Sequence, residues 1–339
     1  MNHTICSGFV GAVGNTPLIK IESLSAATGC TILGKAEFLN PGGSVKDRAA
    51  LYLVLQAEQA GTIQAGGGTI VEGTAGNTGI GLALVANARG YRTVIVMPSN
   101  QSSEKIELLR TLGAQVELVA PVPFSNQGNY YHVARQRALE LAAIPGGAFW
   151  ANQFENTANA DAHYYTTGPE IWAQTQGELD GVVMSSGTGG TIGGVTSYLK
   201  EQKPNLQAYL IDPPGSGLYS YITTGEFKAE GNSITEGIGI NRETANFRRA
   251  KLDGAFQGTD QEVIEMAHYL LKHDGLFVGS SAALNVVGAV RLARQLGAGK
   301  TIATILCDGG GRYQSRMFND AWLAEKGLTP KGKGLDFLD

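Results

Sequence analysis

Lys46 stands where the rules of helix formation would not put a cation. The stretch Asn40-Pro41-Gly42-Gly43-Ser44-Val45-Lys46-Asp47-Arg48 runs from a turn-forming Pro-Gly-Gly into an alanine- and leucine-rich segment, whose spacing predicts a helix ending at Gly61. Ser44 is the expected N-cap, with Asp47 as a short counterpart of the capping-box acid. Lys46 then falls in the first turn, where backbone N–H groups and the helix dipole disfavour a positive side chain by a few tenths to ~1 kcal/mol. Local rules are broken most often at functional sites. A lysine amine is also the nucleophile of Schiff-base chemistry with a carbonyl cofactor. A solvated lysine beside a cap satisfies the same pattern, so this motif does not decide alone.

Two glycine-rich loops follow apolar strands and open helices, the arrangement by which backbone N–H groups and a helix N-terminus meet an anion. The first is Glu72-Gly73-Thr74-Ala75-Gly76-Asn77-Thr78-Gly79, and the second runs from Ser185 through Gly187-Thr188-Gly189-Gly190-Thr191 to Gly194. The second is not a dinucleotide fingerprint: Ile192 occupies the third glycine position, and Glu201 and Asp212 straddle the place of the ribose-binding acid. Its hydroxyls and close glycines suit a single terminal phosphate. A tight turn that needs glycine for packing is the competing explanation of either loop. Gly299-Lys300-Thr301 imitates the end of a Walker loop, but Arg294 stands where its first glycine belongs and a strand follows, so it reads as a turn.

The elements that must hold these residues alternate. Short β-branched runs at 69–71, 93–97, 115–119, 181–184, 208–211 and 301–306 are interleaved with helical patterns such as SSEKIELLRTLGA, where Ile106, Leu109 and Leu112 share a face and Gly113 supplies the stop. Such strand–helix units predict parallel sheets covered by helices on both faces. With 339 residues, 43% of them hydrophobic, the chain is long enough for one large or two ordinary domains.

Composition excludes other classes. A formal charge of −4 with 26 dispersed basic residues leaves no nucleic-acid footprint. Cys6, Cys30 and Cys307 are far apart and form no CxxC, against a disulfide framework or a zinc site. The five histidines, His3, His132, His163, His268 and His273, show no metal-ligand spacing, so no metal is expected. His163 and Tyr164 lie close enough to the Asn152 motif described below to approach the site. Tyr130, Tyr131 and Trp172 read as packing aromatics. No run approaches the ~20 apolar residues of a membrane span, and no signal peptide is recognisable, so a cytoplasmic, reducing location is expected.

Taken together, the motifs resemble a known family. NTPL from Asn15, NPGGSVKDR around Lys46, GNTGIGLA from Gly76, NQFEN from Asn152, GTGGT from Gly187, EGIG from Glu236, GSSAA from Gly279 and RY at Arg312 occur in order over roughly residues 7–325. The set is similar to the cysteine synthase and cystathionine β-synthase branch of pyridoxal-phosphate enzymes, with their β-family (type II) fold.

The resemblance implies two doubly wound three-layer α/β domains with the pyridoxal 5'-phosphate site in the cleft between them. The larger domain would comprise 1–46 and 153–339, and a smaller, mobile one 47–152. By the same resemblance Lys46 carries the cofactor as an internal aldimine, Gly187, Thr188, Gly189, Gly190 and Thr191 bind its phosphate, and Asn77 contacts its phenolic oxygen. Thr74, Ala75, Gly76, Asn77, Thr78 and Gln153, with Gly237, would hold the substrate α-carboxylate. The implied reaction is β-replacement: an activated serine such as O-acetylserine loses its leaving group to give an aminoacrylate, and sulfide adds to yield L-cysteine. Cysteine desulfhydrase, cystathionine β-synthase-type condensation and a catalytically silent binding relative are the alternatives. A homodimer is implied, and a serine acetyltransferase C-terminal tail is a candidate partner.

Two departures stand out. Relatives often read TSGNT where this chain has Thr74-Ala75-Gly76-Asn77-Thr78. Near the C-terminus Asp308 takes the place of a serine that contacts the pyridine nitrogen, and an acid there would favour the pyridinium and deepen the electron sink. Its alternative role is that of a turn residue facing water.

Overall fold

The structure is a computed structural model that describes residues 5–64, 66–74, 76–101, 103–144 and 146–338, with 103 and 104 described by their backbone alone. Among the described residues there are ten strands: β1 Leu18–Lys20, β2 Thr31–Ala36, β3 Thr69–Gly73, β4 Arg92–Pro98, β5 Gln115–Val119, β6 Ala148–Trp150, β7 Gly181–Met184, β8 Gln207–Asp212, β9 Gly254–Gln257 and β10 Thr301–Leu306. All six strands expected from β-branched runs are among them. They form two sheets, and the residues group into two compact units around these sheets.

The first unit comprises the residues up to Gly14 and Asn40–Ala162. Its four strands, in the order β5-β4-β3-β6, are all parallel. Alternation along the central strands divides its core. Val71, Val94 and Val96 point to one face and pack on Ala134 and Ala138. Ile95 and Met97 turn to the other face, against Ile80, Ile106 and Leu109. Ile70 joins Leu53, Val54 and Leu82. β3 is buried along its whole length, as a central parallel strand covered on both faces must be.

The second unit comprises Asn15–Leu39 and the residues from His163 onward. Its six-stranded sheet has the order β1-β2-β10-β7-β8-β9, parallel except for the antiparallel β1–β2 edge. The Ser280–Leu296 helix supplies Leu284, Val287 and Val290 to a core with Val183, Ile211 and Ile302. The division of residues differs from the expected domain boundary, which would cut the Lys46–Gln59 helix after its first residue. Packing keeps that helix whole and groups it with the four-stranded sheet.

Candidate active site

In the first unit, Lys46 is the first residue of its helix, which runs to Gln59. Gly61 follows at φ +68°, so the helix stops as expected, two residues earlier than the glycine itself. The capping differs from expectation. Val45 is the N-cap residue and has helical dihedrals, while the Ser44 hydroxyl accepts from the Lys46 N–H at 3.2 Å. The Asp47 carboxylate does not reach back to Ser44. It accepts the Gly42 N–H at 2.6 Å, and a Cβ at Gly42 would lie 2.5 Å from it. The acid therefore locks the Pro-Gly-Gly turn onto the helix and fixes the entry to Lys46.

The helix Asn77–Arg89 packs beside it through Gly81, where a Cβ would meet the Lys46 carbonyl at 3.2 Å. Asn77 lies one helical turn before Gly81, on the same face of the helix. The turn before it is self-bonded: the Thr74 hydroxyl accepts the Gly76 N–H at 3.2 Å, and Gly76 is the N-cap. Ala75 lies outside the described residues. Thr78 donates its hydroxyl to Gln153 Oε1 at 2.6 Å, and the Gln153 side chain also hydrogen-bonds the Glu72 carboxyl. Asn159 Nδ2 holds the Gln153 carbonyl at 2.8 Å. Asn152 is at φ +48°, and Tyr131, within the aromatic cluster of Phe124, Trp150 and Phe154, donates to its Oδ1 at 3.2 Å.

In the second unit, β7 leads through Ser185 and Ser186 into the 187–191 loop and the Gly190–Gln202 helix. Gly189, the N-cap, is at φ +88°, and a Cβ there would sit 2.3 Å from the Phe247 nitrogen. A Cβ on Gly187 would lie 2.1 Å from the Gly237 carbonyl, which places the EGIG segment against the loop. Gly239 N–H to Ser186 O at 2.9 Å and Thr244 Oγ1 to Thr188 O at 2.7 Å complete the clamp. His163 opens a π-helical turn, is buried, and bonds Thr167 through Nδ1 at 2.9 Å and Thr191 through Nε2 at 3.2 Å. Its ring thereby touches the 187–191 loop at the Thr191 hydroxyl.

Asp308 follows β10 and does not face water: it is 1% exposed and accepts the Tyr313 hydroxyl at 2.7 Å. Burial and the neighbouring Asp308 charge push the Tyr313 phenol well above its ordinary range, so it stays a donor.

Two functional candidates are not apparent from the sequence. Asn285, fully buried in an apolar helix, accepts the Ser185 N–H at 2.6 Å and donates to the Ile305 carbonyl at 2.8 Å. It thereby ties the strand end before the 187–191 loop to the strand end before Asp308. Glu72, at the base of the Thr74–Thr78 turn, is 1% exposed and accepts the Gln153 N–H at 3.3 Å. Burial raises its carboxyl to about 8, against smaller opposing effects of hydrogen bonds from Gln153 and Asn152. In both cases the visible signal is a polar residue inside an apolar run.

No helix among the described residues is long and apolar enough to cross a membrane, and no described cluster of His, Cys, Asp and Glu is arranged to hold a metal.

Residues 10–308 match the family described as "Pyridoxal-phosphate dependent enzyme". The "Cysteine synthase" of Dictyostelium discoideum is 53% identical, over 94% of this chain and 86% of that protein. "Cysteine synthase 1" of Emericella nidulans is 54% identical over 95% and 87%. Among solved structures, the O-acetylserine dependent cystathionine beta-synthase from Helicobacter pylori superposes with a TM-score of 0.80 at 36% identity, covering 92% of this chain and 98% of that one. The donor set fits pyridoxal phosphate. The 187–191 loop offers a helix N-terminus with the Thr188 and Thr191 hydroxyls and no competing acid, which suits a phosphate, and Lys46 offers the amine at the mouth of a fixed turn. The chain belongs to the pyridoxal-phosphate dependent enzymes.

Proposed function

We propose that this protein makes L-cysteine by β-replacement, sulfide displacing the leaving group of an activated serine such as O-acetylserine. The observation that carries the reading is the 53–54% identity to proteins named cysteine synthase, over 94–95% of this chain. The O-acetylserine dependence of the Helicobacter pylori enzyme supports the choice of donor.

Pyridoxal phosphate, when bound, supplies a carbonyl for amine exchange and an electron sink that eases loss of the Cα proton and the leaving group. Lys46 is the amine proposed to hold it covalently and, once displaced by the substrate amine, to take the proton from Cα and return it after sulfide adds. The proposed phosphate ligands are Gly187, Thr188, Gly189, Gly190 and Thr191, with Asn77 toward the phenolic oxygen. Gln153 Nε2 and the turn from Thr74 to Thr78, with Gly237, are the proposed donors to the substrate carboxylate, neutral groups whose convergence replaces a cation. Asp308, steadied by Tyr313, is proposed to meet the ring nitrogen. Asp308→Ser is then expected to slow exchange of the α proton while cofactor content stays nearly unchanged. A homodimer, and competition for the carboxylate site by a peptide C-terminus such as a serine acetyltransferase tail, belong to the same reading.

The decisive assay supplies purified protein with O-acetylserine and sulfide, then with homocysteine in place of sulfide, then with cysteine alone. Cysteine formation much faster than the other two reactions is expected. Faster cystathionine formation, or faster release of pyruvate and sulfide from cysteine, would replace the reading with the corresponding alternative.

A further inference from the structure

Glu72 is a buried acid at the end of a central strand, directly before Gly73 and Thr74. One carboxyl oxygen accepts the Gln153 N–H at 3.3 Å, and the other, Oε2, is buried with no hydrogen-bond partner among the described residues. Orphaned buried oxygens are uncommon and call for a functional explanation. The residue that Glu72 seats is the one whose side-chain oxygen takes the Thr78 hydroxyl at 2.6 Å. One acid therefore underlies both ends of the turn proposed to receive a carboxylate.

We infer that Glu72 is a positioning residue of this anion site: its uncharged carboxyl seats Gln153, and its ionisation closes the site to a carboxylate. The inference rests on the reading of Thr74–Thr78 and Gln153 as carboxylate donors. An acid that accepts the Gln153 N–H through one oxygen keeps its proton on the other and adds no charge beside the incoming anion. Ionised, it would set a like charge against that anion in a medium that screens poorly.

Among the described residues no neighbouring charge offsets this. β3 packs against β4, β6 and the helices Asn77–Arg89 and Tyr130–Ala142. Arg89 is paired with Glu58, Arg137 with Glu117 and Glu140, and the His132 ring with the Phe124 carbonyl. Arg92 is exposed and lies opposite Thr69 at the start of β3, and Arg135 is exposed on the outer side of its helix. The influences on Glu72 are burial and the hydrogen bonds from Gln153 and Asn152, and burial holds its carboxyl at about 8.

The test uses holoenzyme and L-alanine, which carries the carboxylate and amine but no leaving group, with the dissociation constant read from the cofactor absorbance between pH 6.5 and 9. Wild type is expected to lose about tenfold in affinity relative to E72Q between pH 7 and 9, one decade per pH unit above the carboxyl's midpoint. E72Q, an uncharged isostere, is expected to match wild type at pH 6.5. E72A, which removes the seat of Gln153, is expected to bind weakly at every pH. Parallel pH profiles for wild type and E72Q, or wild-type affinity in E72A, would overturn the inference. If E72A fails to fold, the comparison with E72Q decides alone. Should alanine binding follow this pattern while O-acetylserine and sulfide give no cysteine, the proposed reaction fails and the positioning role stands. Cysteine formation with parallel profiles would instead uphold the reaction and remove the positioning role.

Discussion

The two glycine-rich loops are built on the same plan, a buried parallel strand feeding a helix N-terminus, yet they are held by different means. The 187–191 loop is clamped mainly by backbone: the Gly187 and Gly189 contacts leave no room for a Cβ, and Gly239 N–H, Thr244 Oγ1 and the uncharged amide of Asn285 fix the chain around it. The Thr74–Thr78 turn is held through side chains, the Thr78 hydroxyl on the Gln153 carboxamide and the titratable Glu72 carboxyl on the Gln153 backbone N–H. A clamp built mainly of backbone contacts, with no acid in it, suits a permanently bound anion. A side-chain network that includes an acid suits one that comes and goes, since its donors can be reset by a proton.

Lys46→Ala is the largest perturbation, because it removes the amine proposed for both attachment and proton transfer. Turnover is expected to fall by at least about 10²–10⁴-fold. Cofactor should remain detectable through the intact 187–191 clamp, although it no longer survives denaturation as a covalent adduct. Equal loss of cofactor and turnover would show that the clamp does not hold the cofactor by itself, and would erase the contrast between the loops.

Buried acids offer the next test, since each unit has one at the end of a central strand. Glu72 is raised to about 8 and Asp212 to about 6, both chiefly by burial. Asp212 accepts the Tyr219 N–H at 2.8 Å, a shorter bond than the 3.3 Å one at Glu72, and its shift is smaller. Their folded-state values lie above the ordinary 4.5 for Glu72 and 3.8 for Asp212, so the stability each contributes is fully present below those values. It is lost as pH rises through about 6 for Asp212 and about 8 for Glu72. Of these two acids, it is Glu72 that should make stability continue to decline between pH 7 and 8. E72Q should flatten that part of the curve by about 1 kcal/mol, since one proton changes stability by at most ~1.4 kcal/mol per pH unit, measured by urea unfolding at several pH values. An unchanged slope would mean that the carboxyl is already charged at pH 7.

Much of this arrangement is legible in the sequence because it is local. The six β-branched runs form strands, and Lys46 opens its helix. What the sequence hides depends on partners distant in the chain. β2 contains Gly34 and Lys35, neither a strand signal, and Lys35 is wholly buried because Glu170 lies 2.6 Å away and the Thr16 carbonyl accepts from it. β1 and β6 have three residues each, too few for a period to appear. Asn285 looks like a stray polar residue until residues 185 and 305 are seen on either side of it. Asp47 illustrates a subtler limit: an acid near a helix start is easily recognised, but its partner is the preceding turn at Gly42.

Asn285→Leu probes the clamp. The substitution keeps the volume but leaves the Ser185 N–H and the Ile305 carbonyl buried without the amide, at a cost of about 1–3 kcal/mol for each group. Cofactor affinity, measured by equilibrium dialysis, is expected to weaken by about tenfold, since ~1.4 kcal/mol passed to the loop is one decade. The L-alanine affinity of the loaded protein should hardly change. A fall in alanine affinity with cofactor affinity intact would place Asn285 in the other half of the comparison.

The smallest effect is expected from Thr78→Val, and it separates the two loops most cleanly. Valine preserves the shape of the helix start but deletes the donor to Gln153 Oε1, so the carboxamide loses the bond that fixes which of its ends faces an anion. A neutral hydrogen bond of this kind contributes about 0.5–1.5 kcal/mol net, which corresponds to a rise in KM for the amino acid of roughly two- to tenfold. Because the hydroxyl orients a ligand rather than reacting with it, kcat should change less than KM, the signature of binding shared equally by ground state and transition state. Cofactor content should be that of the wild type, because nothing in the 187–191 clamp involves Thr78. A drop in kcat with KM unchanged would mean that Gln153 acts on the reacting atoms, and the turn from Thr74 to Thr78 would then belong to the chemistry of the site rather than to its selection of a carboxylate.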